Sequence, residues 1–582
     1  MIRPLSTLAL LAITSTATFA TTRFVDVNLT TGANNGTSWA DAYRTVDGVA
    51  VALTSSIAGD EIWVAQGTYK PTATLTRTIY ITLKTGVGVY GGFNGTESAL
   101  NQRDVALNVT TLSGDLAGDD GSNIFTDNSQ HVVNGASANA TAILDGFIVT
   151  GGNANGANPQ DRGGGILMQS ASNATIRNCN FRLNRCTFGG GAGYINNSSP
   201  TFTDCRFENN FGANFGGAFD QATSVGTVFT RCVFTGNTAA RAGAIEIFSG
   251  SAVKCYDCIF YNNTSTGSGG GGAIFVSGSS PSFRNCTIYG NTSTVSTAAG
   301  FISASSNVEV ANCIVYGNTG PGGAQTAVNQ LSGTTYNVSY SCVQGAFAGT
   351  GNIALDPQCT NPVGGDFHLP ISSPCIDAAN NGLIPPALTV DFDLRPRTAD
   401  EPSVANTGGG VSQCTDMGAF ELPVPFITIF CGGDGTGTPC PCGNNSTFLS
   451  GEGCLSSIGL GGFLTASGTA RYSNDTATLL GTQMTTGPCL YFQGTGQQAG
   501  GAGIAFGDGL LCIGGSILRL GVVFNVAGAS TFPTGGASLS VAGLVSGPGA
   551  VRNYQVWFRD AAAFCVAATN NLTNGVSITW EL

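Results

Sequence analysis

The sequence contains few of the side chains that bind phosphate groups or transfer protons near neutral pH. Its 582 residues include two histidines, His131 and His368, and only three lysines, and the formal net charge is −12. Binding to a nucleic-acid backbone requires a basic face that neutralises phosphates. An acidic chain with so few cations does not supply one, so we predict no nucleic-acid partner.

Long apolar runs are also missing beyond the first residues. Residues 1–20 carry Arg3, an apolar run from Leu5 to Ile13, and small residues that end at Ala20. This pattern is typical of a secretory signal peptide cleaved after Ala20. No later run approaches the roughly 20 residues that a membrane-spanning helix needs. We therefore expect a secreted, extracellular or cell-surface protein without a membrane span.

Helical periodicity is absent, and a short repeat stands in its place. Between residues 178 and 318 the motif C-x-F-x-x-N, or a close variant, occurs six times at intervals of 26 to 28 residues. The repeated cysteines are Cys179, Cys205, Cys232, Cys258, Cys286 and Cys313. A fixed period in the twenties is too short for a domain and indicates a solenoid.

Each copy of the motif predicts one strand and one turn. The position two residues after the cysteine is always apolar, so both side chains should face the interior of the solenoid. The motif closes on Asn184, Asn210, Asn237, Asn263, Asn291 and Asn318. Asparagine tolerates left-handed backbone, and its amide can bond to the copies above and below. A second, glycine-led strand precedes each cysteine, which predicts an all-β parallel β-helix with a rise of about 4.8 Å per coil.

Several other stretches identify a class of proteins that this chain resembles. They are residues 34–46, 59–72 and 89–116 near the start, 143–156 at the first full coil, and 366–382, 391–397 and 416–421 after the coils. Together they resemble the right-handed parallel β-helix proteins of the pectin-lyase-like class, specifically its exported bacterial members. The resemblance implies a right-handed helix. The class holds lyases, hydrolases, esterases and non-catalytic surface proteins, so the resemblance does not choose a function.

Composition predicts five segments along the chain. They are the signal peptide 1–20, an N-terminal cap and first coils 21–135, regular coils 136–355, a closing segment 356–425 that folds back along the helix or covers its last coil, and a cysteine-rich antiparallel β-sandwich domain 426–582. An amphipathic helix near residues 45–53 is expected to plug the open end of the solenoid.

The cysteines divide into two kinds. The six repeated ones should form a buried column of reduced thiols, because parallel strands in register give poor disulfide geometry. Disulfides are expected among the cysteines of the closing region, Cys342, Cys359, Cys375 and Cys414. The seven cysteines of the last domain predict up to three disulfides with one thiol left over.

One column of side chains on the glycine-led strands is the candidate site. Aligned by sequence, it contains Met168, Tyr194, Asp220, Glu246, Phe275 and Ile302. Flanking positions are apolar, so this column should point outward. Asp220 and Glu246 then lie on adjacent coils with Cα atoms about 4.8 Å apart, and mutual repulsion should raise one pKa.

Two readings of this column stay open. Aromatic rings beside carboxylates suit a sugar, so Tyr194, Asp220, Glu246 and Phe275 are predicted to contact a ligand. A separation of about 5 Å also matches retaining glycosidases, which makes Asp220 and Glu246 the catalytic candidates. Alternatively, Arg241 neutralises the pair and the column is structural.

A second column stands immediately before each cysteine. It contains Asn178, Asp204, Arg231, Asp257, Asn285 and Asn312. The alternation of acid, base and acid on successive coils predicts a structural salt-bridge ladder, with each exposed pair contributing about 0–1 kcal/mol.

Two further sets of residues could bind ligands. Asp391, Asp393 and Asp416 offer oxygen ligands for calcium, although their spacing lacks the features of a known calcium loop and also suits a surface acidic loop. In the last domain, RNYQVWFRD at 552–560 places Tyr554 and Phe558 on one strand face and Trp557 on the other. One face could present an aromatic patch to a glycan, and core packing is the alternative.

The motifs of known enzymes are missing. Neither histidine has the glycine-histidine-glycine setting of the polygalacturonases, and no Ser/His/Asp set or phosphate-binding loop occurs. We therefore predict a non-catalytic protein that binds extracellular polysaccharide or a cell-surface glycan, or mediates adhesion. The alternatives are a polysaccharide lyase or glycoside hydrolase that uses Asp220 and Glu246, and a purely structural envelope protein. No cofactor is expected other than Ca²⁺ at the aspartates.

Overall fold

The chain folds into two compact units. The computed structural model describes residues 20–580 apart from residues 334, 402–403, 411–414, 423–426, 449, 468–469, 473, 548, 563–565 and 568. The first unit ends at Leu422 and the second comprises the remaining residues. All but the last residue of the predicted signal peptide lies outside the described residues.

The first unit is a parallel β-helix with four sheets, and every strand pair in these sheets is parallel. Sheet 1 contains Thr22–Val25, Glu61–Ala65, Gly88–Phe93, Ile143–Asp145, Thr175–Arg177, Thr201–Thr203, Val228–Thr230, Lys254–Tyr256, Ser282–Arg284, Val308–Ala311 and Tyr336–Ser339. Sheet 2 contains Gly67–Tyr69, Thr110–Ser113, Ile148–Thr150, Asn180–Arg182, Arg206–Glu208, Val233–Thr235, Ile259–Tyr261, Thr287–Tyr289, Ile314–Tyr316 and Cys342–Val343.

The other two sheets complete the coils. Sheet 3 contains Ile81–Thr82, Val133–Asn134, Ile166–Met168, Gly193–Asn196, Phe219–Ala222, Ile245–Phe248, Ile274–Ser277, Phe301–Ala304 and Leu331–Gly333. Sheet 4 is the shortest and contains Asn153–Ala154, Arg185–Cys186, Phe211–Phe215, Thr238–Arg241, Thr264–Gly270 and Thr292–Ser293. The motif strands lie in sheet 2 and the glycine-led strands in sheet 3, so the predicted coil is confirmed.

Equivalent apolar side chains stack inside the coils. Phe181, Phe207, Phe234 and Phe260 are fully buried and in register, with successive ring centroids 5.4, 4.8 and 4.5 Å apart. Burial of one such ring contributes about 1.5–3 kcal/mol. The prediction that this position of the motif faces inward is therefore confirmed.

The asparagines form a continuous amide ladder. Asn210 Nδ2 donates to Asn237 Oδ1 at 3.0 Å, and Asn237 Nδ2 donates to Asn263 Oδ1 at 2.9 Å. The predicted amide stacking is confirmed, but the backbone detail was wrong. The left-handed conformation belongs to the residue before each asparagine, such as Asn209 at φ 55° and Gly236 at φ 65°. This residue turns the chain so that the next side chain enters the interior.

The repeated cysteines are buried free thiols, as predicted. Each thiol donates to a carbonyl group of the preceding coil, for example Cys258 Sγ to the oxygen of Phe229 at 3.5 Å. The expectation of disulfides in the closing region was wrong for Cys342, Cys359 and Cys375, which are also free, while Cys414 lies outside the described residues. Cys342 and Cys375 pack in an apolar cluster, where thiols act as small hydrophobic groups.

A helix packs onto the first coils, and the closing segment packs against one side of the later coils. The predicted helix is present at Gly48–Ser55, three residues later than expected, and packs Val49 and Leu53 onto the apolar core. The remaining α-helical turn of this unit is Ala327–Gln330. The closing segment lies along sheet 2, where the Phe367 ring contacts Tyr261 and Tyr289 at centroid distances of 5.3 and 5.6 Å. It therefore folds back on the later coils, as predicted.

The second unit is antiparallel. One sheet has the order Ile427–Phe430, Gly575–Thr579, Val551–Arg559, Gly487–Gly494 and Leu518–Asn525, with Asn570–Leu572 beside Val551–Arg559. A second sheet contains Phe463–Ser467, Thr478–Thr482 and Ser530–Phe532. Three two-stranded ribbons complete the unit, namely Ala470–Arg471 with Asn474–Asp475, Gly496–Gln497 with Ile513–Gly514, and Ile504–Phe506 with Gly509–Leu511. The short helix Leu539–Ala542 follows the second sheet in sequence.

Side chains of the two larger sheets share one core, which includes Leu479, Tyr491, Tyr554, Phe558 and Trp580. Disulfides join Cys431 to Cys512 and Cys440 to Cys454, Cys489 is a free thiol, and Cys565 lies outside the described residues. Among the helices of the described chain, none has the length and apolar character of a membrane span.

Candidate functional site

The predicted column is present on sheet 3, but a different residue occupies its first position. Tyr194, Asp220, Glu246 and Phe275 are direct neighbours on successive strands. The sequence alignment was wrong at the first position, because Leu167 and not Met168 pairs with Tyr194. Met168 instead belongs to the interior file, beside Ile195.

The prediction that this column is exposed was wrong. The side chains of Tyr194, Asp220, Glu246 and Phe275 point away from the apolar core, yet they are only 4, 0, 2 and 8 % exposed. Sheet 4 and the glycine-rich segments that follow its strands fold over the column. At Gly189 an added Cβ would lie 2.3 Å from Asp220 Oδ2, so only glycine permits this close approach.

Two arginines from other segments contact the buried column. Arg241 forms an ion pair with Glu246, with Nε 3.2 Å from Oε2, and its guanidinium lies between the rings of Phe215 and Phe275. Arg162 Nη1 donates to the hydroxyl of Tyr194 at 3.1 Å. Burial raises the pKa of Glu246, and Arg241 opposes that shift. The structural alternative, in which Arg241 neutralises the glutamate, is therefore present.

Asp220 differs from its neighbour because neither carboxylate oxygen has a hydrogen-bond partner in the described chain. Burial, together with the charge of Glu246, raises the pKa of Asp220 well above its usual range. A ligand could reach this pair only if the covering residues moved. Contact of Tyr194, Asp220, Glu246 and Phe275 with a ligand, and catalysis by the two carboxylates, remain predictions under that condition.

The second column forms the turn between sheets 1 and 2. Asn178, Asp204 and Arg231 all have left-handed backbone, at φ 51°, 54° and 49°. Arg231 makes a bidentate pair with Asp204, with N–O distances of 2.7 and 2.9 Å. The predicted ladder ends there, because the buried Asp257 lies 3.6 Å from Nη1 of Arg397 instead. The closing segment covers the turn at Asp257 and leaves the earlier turns open.

An open groove follows this turn, and we call it the turn groove. One part, about 280 Å³, is lined by residues that include Val105, Thr110, Asn178, Asn180, Asp204 and Arg206. An adjoining part, about 230 Å³, shares Asp204 and Arg206 and is also lined by Arg231, Val233 and Phe392. The groove therefore crosses five strands of sheet 2, from Thr110–Ser113 to Val233–Thr235, a distance of about 19 Å at the usual strand spacing.

The polar side chains of the turn groove hold one another in place. Arg206 Nε lies 2.8 Å from Glu208 Oε2, and Asn180 Nδ2 donates to Glu208 Oε1 at 2.7 Å. Burial by itself would raise the pKa of Glu208, but these hydrogen bonds outweigh it and lower the pKa. The Arg206 side chain is still 45 % exposed, so part of its guanidinium remains available to a ligand.

The groove face is positive within an acidic protein. Over residues 143–150, 175–182, 201–208 and 228–235 there are four arginines, Arg177, Arg182, Arg206 and Arg231, against three acidic residues, Asp145, Asp204 and Glu208. The face therefore carries +1, whereas the whole chain carries −12. The sequence pattern predicts a structural role for the column that includes Asp204 and Arg231, and it assigns no role to the other three arginines. These four arginines stand at four different positions relative to the motif cysteine, so no single column of the repeat identified the groove.

The aspartates predicted to bind calcium do not converge. Asp391 accepts backbone N–H bonds from Asp393, Arg395 and Glu421, and Asp416 accepts them from Asp377 and Leu422. Asp393 instead lies 2.8 Å from Nε2 of His368. These carboxylates fix the closing segment, and calcium binding by them stays a prediction.

Another acidic group lies in the loop after the strand Thr110–Ser113. Carboxylate oxygens of Asp115, Asp119 and Asp120 lie within 4.8 Å of one another. Asp115 accepts N–H bonds from Gly118, Asp119 and Asp120 at 2.6 to 3.2 Å, so its role in the loop is that of a turn cap. Desolvation and neighbouring carboxylates raise the pKa of Asp119 and Asp120.

Comparisons with known proteins match the fold. A family model described as the right-handed β-helix region matches residues 120–268 and 221–359. This match agrees with the parallel sheets, and the predicted right-handed β-helix followed by small antiparallel sheets is confirmed.

Individual relatives are distant. A stretch of 109 residues is 38 % identical to metabotropic glutamate receptor-like protein R of Dictyostelium discoideum, covering 18 % of this chain and 7 % of that protein. The chain thus matches only a small part of that relative's length. The crystal structure of pectate lyase Pel9A is similar with a TM-score of 0.39 and 14 % identity, over 70 % of this chain and 97 % of that chain.

Proposed function

We propose that this is a secreted or cell-surface β-helix protein that binds an extracellular polysaccharide in the turn groove without cleaving it. The observation that carries the proposal is the open row of Asn178, Asn180, Asp204, Arg206 and Arg231 on successive coils. Because each coil repeats the same positions at a rise of about 4.8 Å, the groove offers a periodic series of donors and acceptors. Such a series suits a ligand that is itself a chain of similar units.

The charge of the groove favours an acidic polysaccharide. Arginine forms planar, bidentate bonds with carboxylates, and four arginines lie on this face. The surrounding acidic protein would otherwise repel such a ligand. Binding should therefore depend on Arg206 and Arg231, and on ionic strength.

The acidic residues in the groove are poorly suited to catalysis. A general acid at neutral pH requires a raised pKa. Hydrogen bonds lower the pKa of Glu208, and Asp204 is held by Arg231. The alternative, a lyase or hydrolase that uses Asp220 and Glu246, requires the cover of the sheet 3 column to open.

Binding can be tested with residues 21–582 and soluble polysaccharides of both kinds. We expect retention by polygalacturonate or alginate in affinity electrophoresis and weaker retention by dextran. The double variant Arg206→Gln, Arg231→Gln should weaken the binding of acidic chains by tenfold or more. Arg559→Gln, at an exposed position of the second unit, is the matched control. Equal binding by the double variant and the native protein would refute the role of the groove.

Turnover distinguishes the alternative function. Reducing-end and unsaturated-product measurements on the same polysaccharides should show no release of product. If product forms and Glu246→Gln abolishes it, the protein is an enzyme and the buried pair is its site. If neither binding nor turnover occurs, a purely structural role becomes the better explanation.

A further inference from the structure

We propose that the second unit carries a separate binding pocket for a small organic carboxylate with an apolar body, such as an aryl or medium-chain alkyl carboxylate. We call it the Trp557 pocket. It is lined mainly by Leu490, Phe492, Phe506, Arg519, Trp557 and Leu572. This site is independent of the polysaccharide groove and uses different residues.

Strand alternation creates the pocket. Along Gly487–Gly494, Cys489 and Tyr491 face the core, so Leu490 and Phe492 face the opposite side of the sheet. Leu490 is paired with Trp557 and Phe492 with Arg519 on the flanking strands. These side chains therefore converge on one outer face.

The two faces of the motif RNYQVWFRD can now be assigned. Tyr554 and Phe558 are fully buried core residues, whereas Trp557 is half-buried on the pocket side. Trp557, for which the sequence allowed either ligand contact or core packing, therefore lines a cavity.

The size and rim of the pocket indicate a ligand. Its volume is about 430 Å³, within the range of small-molecule sites. The hairpin Ile504–Phe506 and Gly509–Leu511 forms one side. On the rim, Phe506 and Ile517 are 47 and 51 % exposed. Large apolar side chains exposed around a concavity are typical of a binding surface.

The chemistry of the lining selects the class of ligand. Arg519 is the charged residue of the pocket, and within the described part of the chain it makes no ion pair. A guanidinium in this position is complementary to one carboxylate. The other lining side chains are Leu, Ile, Phe and Trp, so the hydroxyl groups of a sugar would lose water without gaining partners. An apolar monocarboxylate meets both conditions.

The experiment uses residues 21–582 and two matched pairs of probes, p-coumarate with p-coumaramide and octanoate with octanamide. We expect the carboxylates to bind in calorimetry and to change the fluorescence of Trp557, and the neutral amides to bind at least tenfold more weakly. Arg519→Gln should weaken carboxylate binding by tenfold or more and leave amide binding unchanged. Trp557→Phe should abolish the fluorescence change while calorimetric binding persists.

Two controls separate the pocket from general effects. Arg559→Gln lies on the same strand as Trp557 but does not line the pocket, so it should bind as the native protein does. Arg519→Lys, with circular dichroism of each variant, keeps the test valid if the glutamine variant unfolds, because it retains the charge. Equal binding of acids and amides, or no binding by the folded protein, would overturn the proposal. Competition by a neutral oligosaccharide would assign the pocket to a glycan instead.

Discussion

Two files of side chains that point away from the apolar core lie on different faces of the same solenoid and differ in their exposure to solvent. The file on sheet 3, from Tyr194 to Phe275, is nearly inaccessible, whereas the turn between sheets 1 and 2, from Asn178 to Arg231, lies open. Both are periodic at one residue per coil, and both contain acidic residues. The open file includes its own arginine, Arg231, whereas Arg241 reaches the buried file from sheet 4. Their accessibility differs because sheet 4 folds over the first file, whereas the closing segment contributes only Phe392 to the lining of the turn groove and leaves it open.

This difference teaches that a repeated column is not by itself a surface. A coil repeat determines which side chains stack, but exposure depends on what packs against the stack. In the buried file an arginine neutralises one carboxylate, as Arg241 does for Glu246, and burial raises the pKa of the other carboxyl group, Asp220. In the open file, ion pairs remain solvated and can exchange partners with a ligand.

The largest expected effect on stability comes from replacing Arg397, which fixes the closing segment over the turn at Asp257. Arg397 is 1 % exposed, lies 3.3 Å from Glu421, and donates to the carbonyl oxygens of Asp416 and Gly418. Arg397→Ala leaves buried carboxylates unpaired and should lower the free energy of unfolding by about 3–5 kcal/mol. Urea denaturation of the first unit measures this loss. A change below about 1 kcal/mol would show that the closing segment does not depend on this residue.

The second prediction uses the raised pKa of Asp220. Because the folded protein holds the proton more tightly than the unfolded chain, its stability should fall as pH rises from about 4 toward the folded pKa, by about 1.4 kcal/mol per pH unit. Asp220→Asn removes this dependence. Measured between pH 4 and 8, the free energy of unfolding of the variant should therefore rise relative to that of the native protein as pH rises. If the free energies of unfolding of the two proteins changed in parallel with pH, Asp220 would have to be solvated in the folded protein.

The third prediction concerns the cover itself. Gly189→Val adds atoms against Asp220 and should cost about 1–3 kcal/mol through overpacking. The variant should also make the buried file more accessible to solvent, which hydrogen exchange in residues 189–194 would report. Polysaccharide binding in the turn groove should stay unchanged, since that groove lies on another face. If the folded variant no longer bound polysaccharide, the packing of the buried file would be shown to affect the turn groove.

The smallest expected effect concerns His368. Hydrogen bonds to Asp393 and Asp366 raise the pKa of His368, so its contribution is present below pH 6.5 and is lost as pH rises through the folded pKa. The side chain is 37 % exposed, so this contribution should remain below about 1 kcal/mol. Protonated His368 holds Asp393, and the next residue, Phe392, lines the turn groove. His368→Gln should therefore slightly weaken polysaccharide binding at pH 6 and not at pH 9. A pH-independent effect would contradict the titration.

The local features of the coil could be predicted from the sequence because each rests on a repeated short-range rule. Strand alternation places Phe207 and Phe234 inside, and amide stacking places Asn210 above Asn237. The one-residue error at Met168 arose because glycine-led segments of varying length precede the strand, so counting from the glycines shifts the register.

The period, the parallel coils, the interior files and the division into a solenoid and a cysteine-rich antiparallel domain could all be predicted from the sequence. The period, the coils and the interior files follow from interactions between equivalent residues of adjacent coils, whereas the division follows from the loss of the repeat and the change of composition near residue 425. Which files are exposed to solvent depends on how sheet 4 and the closing segment pack against the coils. The pocket at Trp557 likewise forms from residues that are far apart in the chain. Their packing depends on shape and charge in three dimensions, and no local pattern records it.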